Sequence, residues 1–268
     1  MNKMNLNDFI FSAFSYINHQ RKCKGARWLH APLFFQLYSS LNEKAAFSTV
    51  LKNHLVRLEG LKSNTTPLNY LDVGAGSRAD AVTRTVGSLA KHSLSPTREI
   101  QKILILSQSV QPDYFVELGT CLGETALCLH QAFPHLPIVT LEGAPPVAAF
   151  ARNQFSKEGA EKIDLREGLF VDTLPTVLDE YRQKGRGMFL IDGHHAFQPT
   201  LDYADAIFEK ADQGSVLLFD DIHWSPGMLQ AWKKIQKHPK TVASITWFRS
   251  GWVFTDPQLT PGHYTWRG

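Results

Sequence analysis

At 268 residues with 43% apolar content, the chain can bury a sizeable core, as one large domain or as one domain with an appendage. A formal charge of +3, without a long block of Lys and Arg, argues against a nucleic-acid track or any other polyanionic partner. Three cysteines, Cys23, Cys121 and Cys128, are odd in number and lack C-x-x-C spacing, which argues against a disulfide framework or zinc site and for the reducing cytoplasm.

The apolar run Phe9-Ile10-Phe11-Ser12-Ala13-Phe14 is too short for a membrane span, is flanked by Asp8, and precedes no small-residue cleavage site. It reads as an amphipathic helix. Residues 43–60 repeat the pattern, with Ala46, Phe47, Val50, Leu51, Leu55, Val56 and Leu58 on a broad apolar face opposite Lys52, Arg57 and Glu59. Such helices are expected to cover the core or to pair with a second copy as a homodimer; a lid over the substrate is the alternative. A polar connector, residues 62–67, leads to the glycine-rich stretch Leu71-Asp72-Val73-Gly74-Ala75-Gly76-Ser77-Arg78 and then to a predicted helix over 79–92. A capped helix entrance and an active-site lid both stay open for that stretch. Residues 1–95 thus read as an N-terminal helical cap on a domain of residues 96–268.

Ser95-Pro96 reads as an N-cap followed by proline in the first turn of a helix that runs to about Val110. An apolar run from Tyr114 to Leu118, carrying Glu117 near its end, then meets Gly119 and Gly123, after which Ala126, Leu127, Leu129, Ala132 and Phe133 recur at helical spacing. This is strand, tight turn and helix. Gly119 permits the sharp exit from the strand, and Gly123 is expected to let a ligand approach the free N–H groups of the new helix. The dinucleotide fingerprint requires G-x-G-x-x-G, whereas the pattern here is E-x-G-x-x-x-G with cysteine at position 121. Glu117 would repel phosphates and attract a cation, which favours a cofactor without a diphosphate. The stretch resembles the first motif of the class I S-adenosylmethionine-dependent methyltransferases, and the resemblance covers about residues 96–268. It implies S-adenosylmethionine as cofactor, held about Glu117, Gly119, Thr120 and Gly123. The D-x-G-A-G-S segment ahead of the core resembles a bacterial subfamily of these enzymes.

Alternation continues with strand 136–142, helix 146–157, strand 163–166, helix 171–183, strand 188–192, helix 196–211, strand 215–220 and helix 226–238. Runs 242–248 and 252–255 flank Arg249-Ser250-Gly251 as a hairpin, and Tyr264-Thr265-Trp266 extends an edge. The expected fold is α/β: a Rossmann-like, doubly wound, mostly parallel seven-stranded sheet with a C-terminal antiparallel hairpin and an N-terminal helical cap. The resemblance puts the seventh strand between the fifth and sixth. Ligands of such sheets lie at the carboxyl ends of the strands. Glu142 closes the second strand, 25 residues after Glu117, where an acid can accept hydrogen bonds from both ribose hydroxyls. Gly143 beside it lets an adenosine lie close, Leu169 and Phe170 are expected along the adenine, and Thr125 could meet the methionine carboxylate at the helix start.

Two later strand ends carry the sharpest chemistry, Ile191-Asp192-Gly193-His194-His195 and Phe219-Asp220-Asp221-Ile222-His223-Trp224-Ser225. Three carboxylates and three imidazoles converge there, and like charges so close usually need a cation, for which oxygen ligands suit Mg²⁺, Ca²⁺ or Mn²⁺. Asp192, Asp220 and Asp221 match the places where the metal-dependent O-methyltransferases hold their ion. Asp192 alone could instead serve the ammonium group of the cofactor. Enzymes of the catechol type place a lysine base three residues after the first acid, and this chain has His195 there. A histidine with an ordinary pKa near 6.5 can take a proton from a hydroxyl at neutral pH. Trp224 is expected to pack rather than to wall a substrate. The segment Asp220 to Met228 matches the fifth-strand motif of the same bacterial subfamily. The reading is therefore an S-adenosylmethionine-dependent methyltransferase, acting on oxygen of a small hydroxylated molecule, with Asp192 and His195 catalytic. Its rivals are a metal-dependent hydrolase, a two-histidine, one-carboxylate iron oxygenase, and a cofactor-binding protein without turnover.

Overall fold

Short, wholly buried strands alternate with amphipathic helices, and that alternation builds a sheet covered on both faces. The computed structural model describes residues 6–23, 25, 31–41, 46–72 and 80–267. The chain opens with α1 (Leu6–Lys22), α2 (Pro32–Ser40) and α3 (Ser48–Ser63), then an antiparallel pair, β1 (Pro67–Asp72) and β2 (Asp80–Thr85), then α4 (Val86–His92) and α5 (Thr97–Val110). The doubly wound part follows as β3 (Tyr114–Leu118), α6 (Glu124–Ala132), β4 (Ile138–Glu142), α7 (Pro145–Lys157), β5 (Asp164–Glu167), α8 (Phe170–Glu180), β6 (Gly187–Ile191), α9 (Phe197–Lys210) and β7 (Val216–Phe219). It ends with α10 (Pro226–Ile235), β8 (Ala243–Thr246), β9 (Gly251–Phe254) and β10 (Gly262–Thr265).

The main sheet runs β10-β8-β9-β7-β6-β3-β4-β5, and only β9 is antiparallel to its neighbours. The strand inserted between the fifth and sixth of the core is therefore β9, as expected. The sheet has eight strands rather than seven, because β10 adds to β8 in parallel. Strand order reverses between β3 and β6, so the crevice for a ligand opens over those two exits. Period-two alternation divides the core: Phe115 faces the layer of α5 and α6, while Tyr114, Val116 and Leu118 face the layer of α8 and α9. Glu117 shares the Phe115 face.

The N-terminal region differs from the expected helical cap in three ways. Residues 80–85 form a strand, not helix: Val82, Thr83 and Thr85 are β-branched, and Thr83 Oγ1 donates to Asn69 Oδ1 across the pair at 2.7 Å. The glycine-rich residues 73–79 lie outside the described residues. Of the helix expected over 43–60, residues 43–45 lie outside the described residues, and the rest starts at Ser48, after Phe47 in the left-handed region at φ 58°. Its buried positions are His54 and Leu61, while Leu55 and Val56 face outward. Nor is the region a separable appendage. Phe34 and Leu37 of α2, an unanticipated helix, are fully buried in the main core, each contributing about 1.5–3 kcal/mol by burial. His19 of α1 donates from Nε2 to the Trp266 carbonyl at 2.9 Å, joining the two ends of the chain.

Candidate active site

The turn after β3 is fixed from both sides. Gly119 sits at φ 112°, and a Cβ there would run into the Asp192 carbonyl, so only glycine lets the exits of β3 and β6 close together. Its N–H and that of Thr120 both donate to the Leu141 carbonyl, at 3.0 and 3.1 Å. Gly123, at φ 85°, faces the ring of Phe155. Its lack of a side chain leaves room for that ring of α7. Glu142 joins the turn to the exit of β4: its carboxylate accepts the N–H of Cys121 at 2.9 Å and that of Ala144 at 2.9 Å. Burial raises its pKa, and those amide bonds oppose the rise.

Glu117 lies deeper than a strand-end acid in contact with a ligand. Thr140 donates to its Oε2 at 2.6 Å, and the Thr120 and Thr140 hydroxyls meet at 2.6 Å. Burial pushes its pKa up to about 8, and the charge of Glu142 adds to this against the bonds from Thr140 and Thr125. The hydroxyls of Thr120 and Thr125 are thus occupied within the interior. Beyond β5, Leu169 is exposed at the start of α8, whereas the Phe170 ring turns inward toward Gly193 and Tyr203.

At the exit of β6, Ser95 donates to Asp192 Oδ2 at 3.1 Å, and His195 Nε2 lies 3.8 Å from Asp192 Oδ1. Ser95 is thus a partner of the acid, not the helix cap expected of it; α5 has no side-chain cap. The pKa of Asp192 is raised well above the ordinary carboxylate range by burial and by the charges of Asp220 and Asp221. Burial lowers that of His195, so the imidazole is neutral at pH 7. Trp224 is 65% exposed beside it, ring centroids 6.4 Å apart, so it does not pack in the core as expected. His194 faces the Tyr203 hydroxyl at 3.3 Å, and His223 donates from Nδ1 to the Phe248 carbonyl at 2.6 Å while stacking on that ring. Arg249, in the turn between β8 and β9, donates from Nε to Asp220 Oδ1 at 3.0 Å and from Nη2 to Oδ2 at 2.7 Å.

Residues 116–222 match the family model described as a methyltransferase domain. The fold is that of the class I methyltransferases. An O-methyltransferase of Bacillus cereus, solved in complex with SAH, superposes with a TM-score of 0.53 at 17% identity, over 82% of this chain and 94% of its own. TomG of Streptomyces achromogenes, an O-methyltransferase involved in tomaymycin synthesis and solved with SAM, gives 0.51 at 19% identity, over 81% and 94%. An uncharacterized protein of Acanthamoeba polyphaga mimivirus is 25% identical over 139 residues, which are 45% of this chain and 58% of the viral protein. The chain therefore matches little more than half the length of that relative.

In this methyltransferase fold the crevice suits a cationic cofactor. Glu142 and Asp192 stand at the exits of β4 and β6, and burial raises the pKa of each, so a positively charged sulfonium and ammonium group would be welcome beside them where a diphosphate would not. The divalent ion fits less well. Among the described residues, the one set of three His, Cys, Asp or Glu side chains with all donor atoms within 4.8 Å is His54, Glu124 and Cys128, not Asp192, Asp220 and Asp221. Asp220 and Asp221 turn to Arg249, and Asp192 turns to Ser95 and His195. Nor do His194, His195 and His223 with an aspartate make an iron triad, because among the described residues no such set brings its donor atoms within 4.8 Å of one another. Arg249 and Ser95 escape sequence reading, since their partners are distant in the chain. No described helix is long and apolar enough to cross a membrane.

Proposed function

We propose that the protein is an S-adenosylmethionine-dependent methyltransferase acting on an oxygen of a small hydroxylated acceptor. The observation that carries this is the pair of carboxylates held at the exits of β4 and β6, Glu142 and Asp192, which suits a cationic ligand at the strand ends where a sheet of this kind takes its ligands. When bound, the cofactor supplies an electrophilic methyl group on a positive sulfur. Glu142, already held by two backbone amides, offers its remaining lone pairs to the ribose hydroxyls, with Gly143 leaving room beside it. Asp192 faces the ammonium group. Leu169 borders the adenine.

His195 is the proton acceptor for the substrate hydroxyl. Its Nε2 faces Asp192 at 3.8 Å, which leaves Nδ1 to take the proton. Burial keeps the imidazole unprotonated, so it enters the reaction as a base. Trp224 stands beside it as a flat wall for an aromatic acceptor. No ion is assigned to the reaction. Positioning of the hydroxyl against the methyl group supplies much of the rate.

Calorimetric titration with S-adenosylmethionine and S-adenosylhomocysteine tests the reading. Wild-type protein is expected to bind both, and Glu142→Ala to lose most of that affinity while remaining folded. Absence of binding by folded wild-type protein would overturn the proposal.

A further inference from the structure

The same strand exits that collect acids also carry a cation of their own. Asp220 continues β7, its N–H donating to the Ile191 carbonyl at 3.0 Å, and its side chain is only 6% exposed. Both of its oxygens face Arg249, which approaches from Nε at 3.0 and 3.1 Å and from Nη2 at 2.7 Å. The Nε atom also lies 3.5 Å from Asp221 Oδ1. This is the fork geometry in which guanidinium matches carboxylate.

The arginine is not a stray surface side chain. Its own carbonyl accepts the Ile222 N–H at 3.0 Å, and the carbonyl of Phe248 before it accepts His223 Nδ1 at 2.6 Å. Two bonds therefore stitch the β8–β9 turn to the Asp220–His223 loop on either side of the guanidinium. On the far side of the turn, Gly251 lies against the Trp232 ring, where a Cβ would collide. The turn is held before any ligand arrives.

We infer that Arg249 is the resident cation of this edge, occupying the position a divalent ion would need, so that the methyl transfer proposed above proceeds without a metal. An ion would need carboxylate oxygens at about 2.0–2.6 Å, and the oxygens of Asp220 are committed to a guanidinium that would repel it. The third acid, Asp192, is drawn away to Ser95 and His195. Arg249 is a positioning residue: it holds Asp220 and Asp221 in place and offsets their charge next to the acid that faces the cofactor. The inference rests on the methyltransferase reading for its consequence, but its test does not.

Mn²⁺ electron paramagnetic resonance on the full chain, at equal protein and Mn²⁺ concentrations and without cofactor, reads ion binding directly. Wild-type protein is expected to leave the free-ion spectrum unchanged. Arg249→Met, which keeps the apolar stem and frees the acid pair, is expected to capture Mn²⁺ and diminish that spectrum. Stoichiometric loss of the free-ion signal with wild-type protein, restored by Asp220→Asn, would overturn the inference. The wild-type measurement decides even where the arginine variant fails to fold, and failure of the cofactor titration leaves it untouched.

Discussion

Arg57 and Arg249 both bind a carboxylate through Nε, one behind the turn that follows β3 and the other in front of the exits of β6 and β7. Arg57, its side chain 8% exposed, meets Glu124 at 3.1 Å, while His54 Nδ1 donates to the other Glu124 oxygen at 2.7 Å. Arg57 also reaches Cys128 Sγ at 3.5 Å and Glu158 at 3.4 Å. The arrangement fastens α3 to the first residue of α6, immediately past Gly123. At the outer site the guanidinium is 34% exposed, and the neighbouring Asp192 takes a bond from the Ser95 hydroxyl in place of a guanidinium. The same pair of groups thus does different things at different depths. Inside, where each partner would be stranded by loss of the other, it orients the helix behind the turn after β3; at the edge it sets the charge at the exits of β6 and β7.

His195→Ala gives the sharpest separation of the two regions. Turnover should fall about 10²- to 10⁴-fold, the usual range for a positioned general base, with cofactor affinity and unfolding midpoint unchanged. Equal loss of affinity and rate in calorimetry and initial-rate assays would remove His195 from the role of base. In the wild type, the rate should rise with pH through a pKa below 6.5, because burial lowers that of the imidazole, and then level off. Arg57→Met is next. It leaves Glu124 buried beside His54 alone, and urea unfolding should record a loss of about 3–5 kcal/mol. Arg249→Met should cost clearly less, since its guanidinium is partly solvated. If the two losses are equal, the distinction by depth fails.

Glu117 tests the interior side of the comparison through pH. Its pKa is about 8 in the folded chain against an ordinary 4.5, so between those values the folded state keeps a proton that the unfolded chain has released. Stability from this group is therefore greatest at or below about pH 4.5 and falls as pH rises toward 8. Glu117→Gln retains an acceptor for Thr140 and removes the ionisation. Its melting temperature should fall less than that of wild type between pH 5 and pH 8; an identical pH dependence would mean that Glu117 ionises freely in the fold.

Most of the doubly wound part is legible in the sequence, because a buried parallel strand prints as an unbroken apolar run. Tyr114–Leu118, Gly187–Ile191 and Val216–Phe219 are such runs, and helical periodicity between them leaves little choice. Strand exits are then known, and with them the places of Glu142, Asp192 and Asp220. What the pattern does not carry is the pairing of side chains. Arg249 stands 29 residues from Asp220, and Ser95 stands 97 residues from Asp192. Nothing local in either segment announces its partner, so an acid cluster that reads as a metal site is answered by a guanidinium from a later turn. Of the helix expected over 79–92, Val86–His92 forms as read, and local propensity misleads only at Asp80–Thr85, where the β-branched Val82, Thr83 and Thr85 favour a strand.

Trp224 supplies the smallest effect and bears on the outer region alone. A tryptophan two places after Ile222 reads as core, since Ile222 and Met228 on either side are buried. The indole instead projects outward because Asp221 takes the left-handed region at φ 49° and the Trp224 N–H turns back to the Asp221 carbonyl at 2.8 Å. The loop is thereby tightened, and the ring is carried to the side of His195. An aromatic stack of this kind adds about 0.5–1.5 kcal/mol beyond burial, so Trp224→Ala should raise the KM for a flat aromatic acceptor roughly threefold to tenfold. The turnover number and cofactor affinity should hold, because the ring touches neither Asp192 nor Glu142 in the bonds that fix them. Discrimination is the telling readout: a small aliphatic alcohol should lose nothing by the substitution. If both acceptors lose equally, the indole supports the loop rather than the substrate, and the outer region keeps only Arg249 and His195 as its working groups.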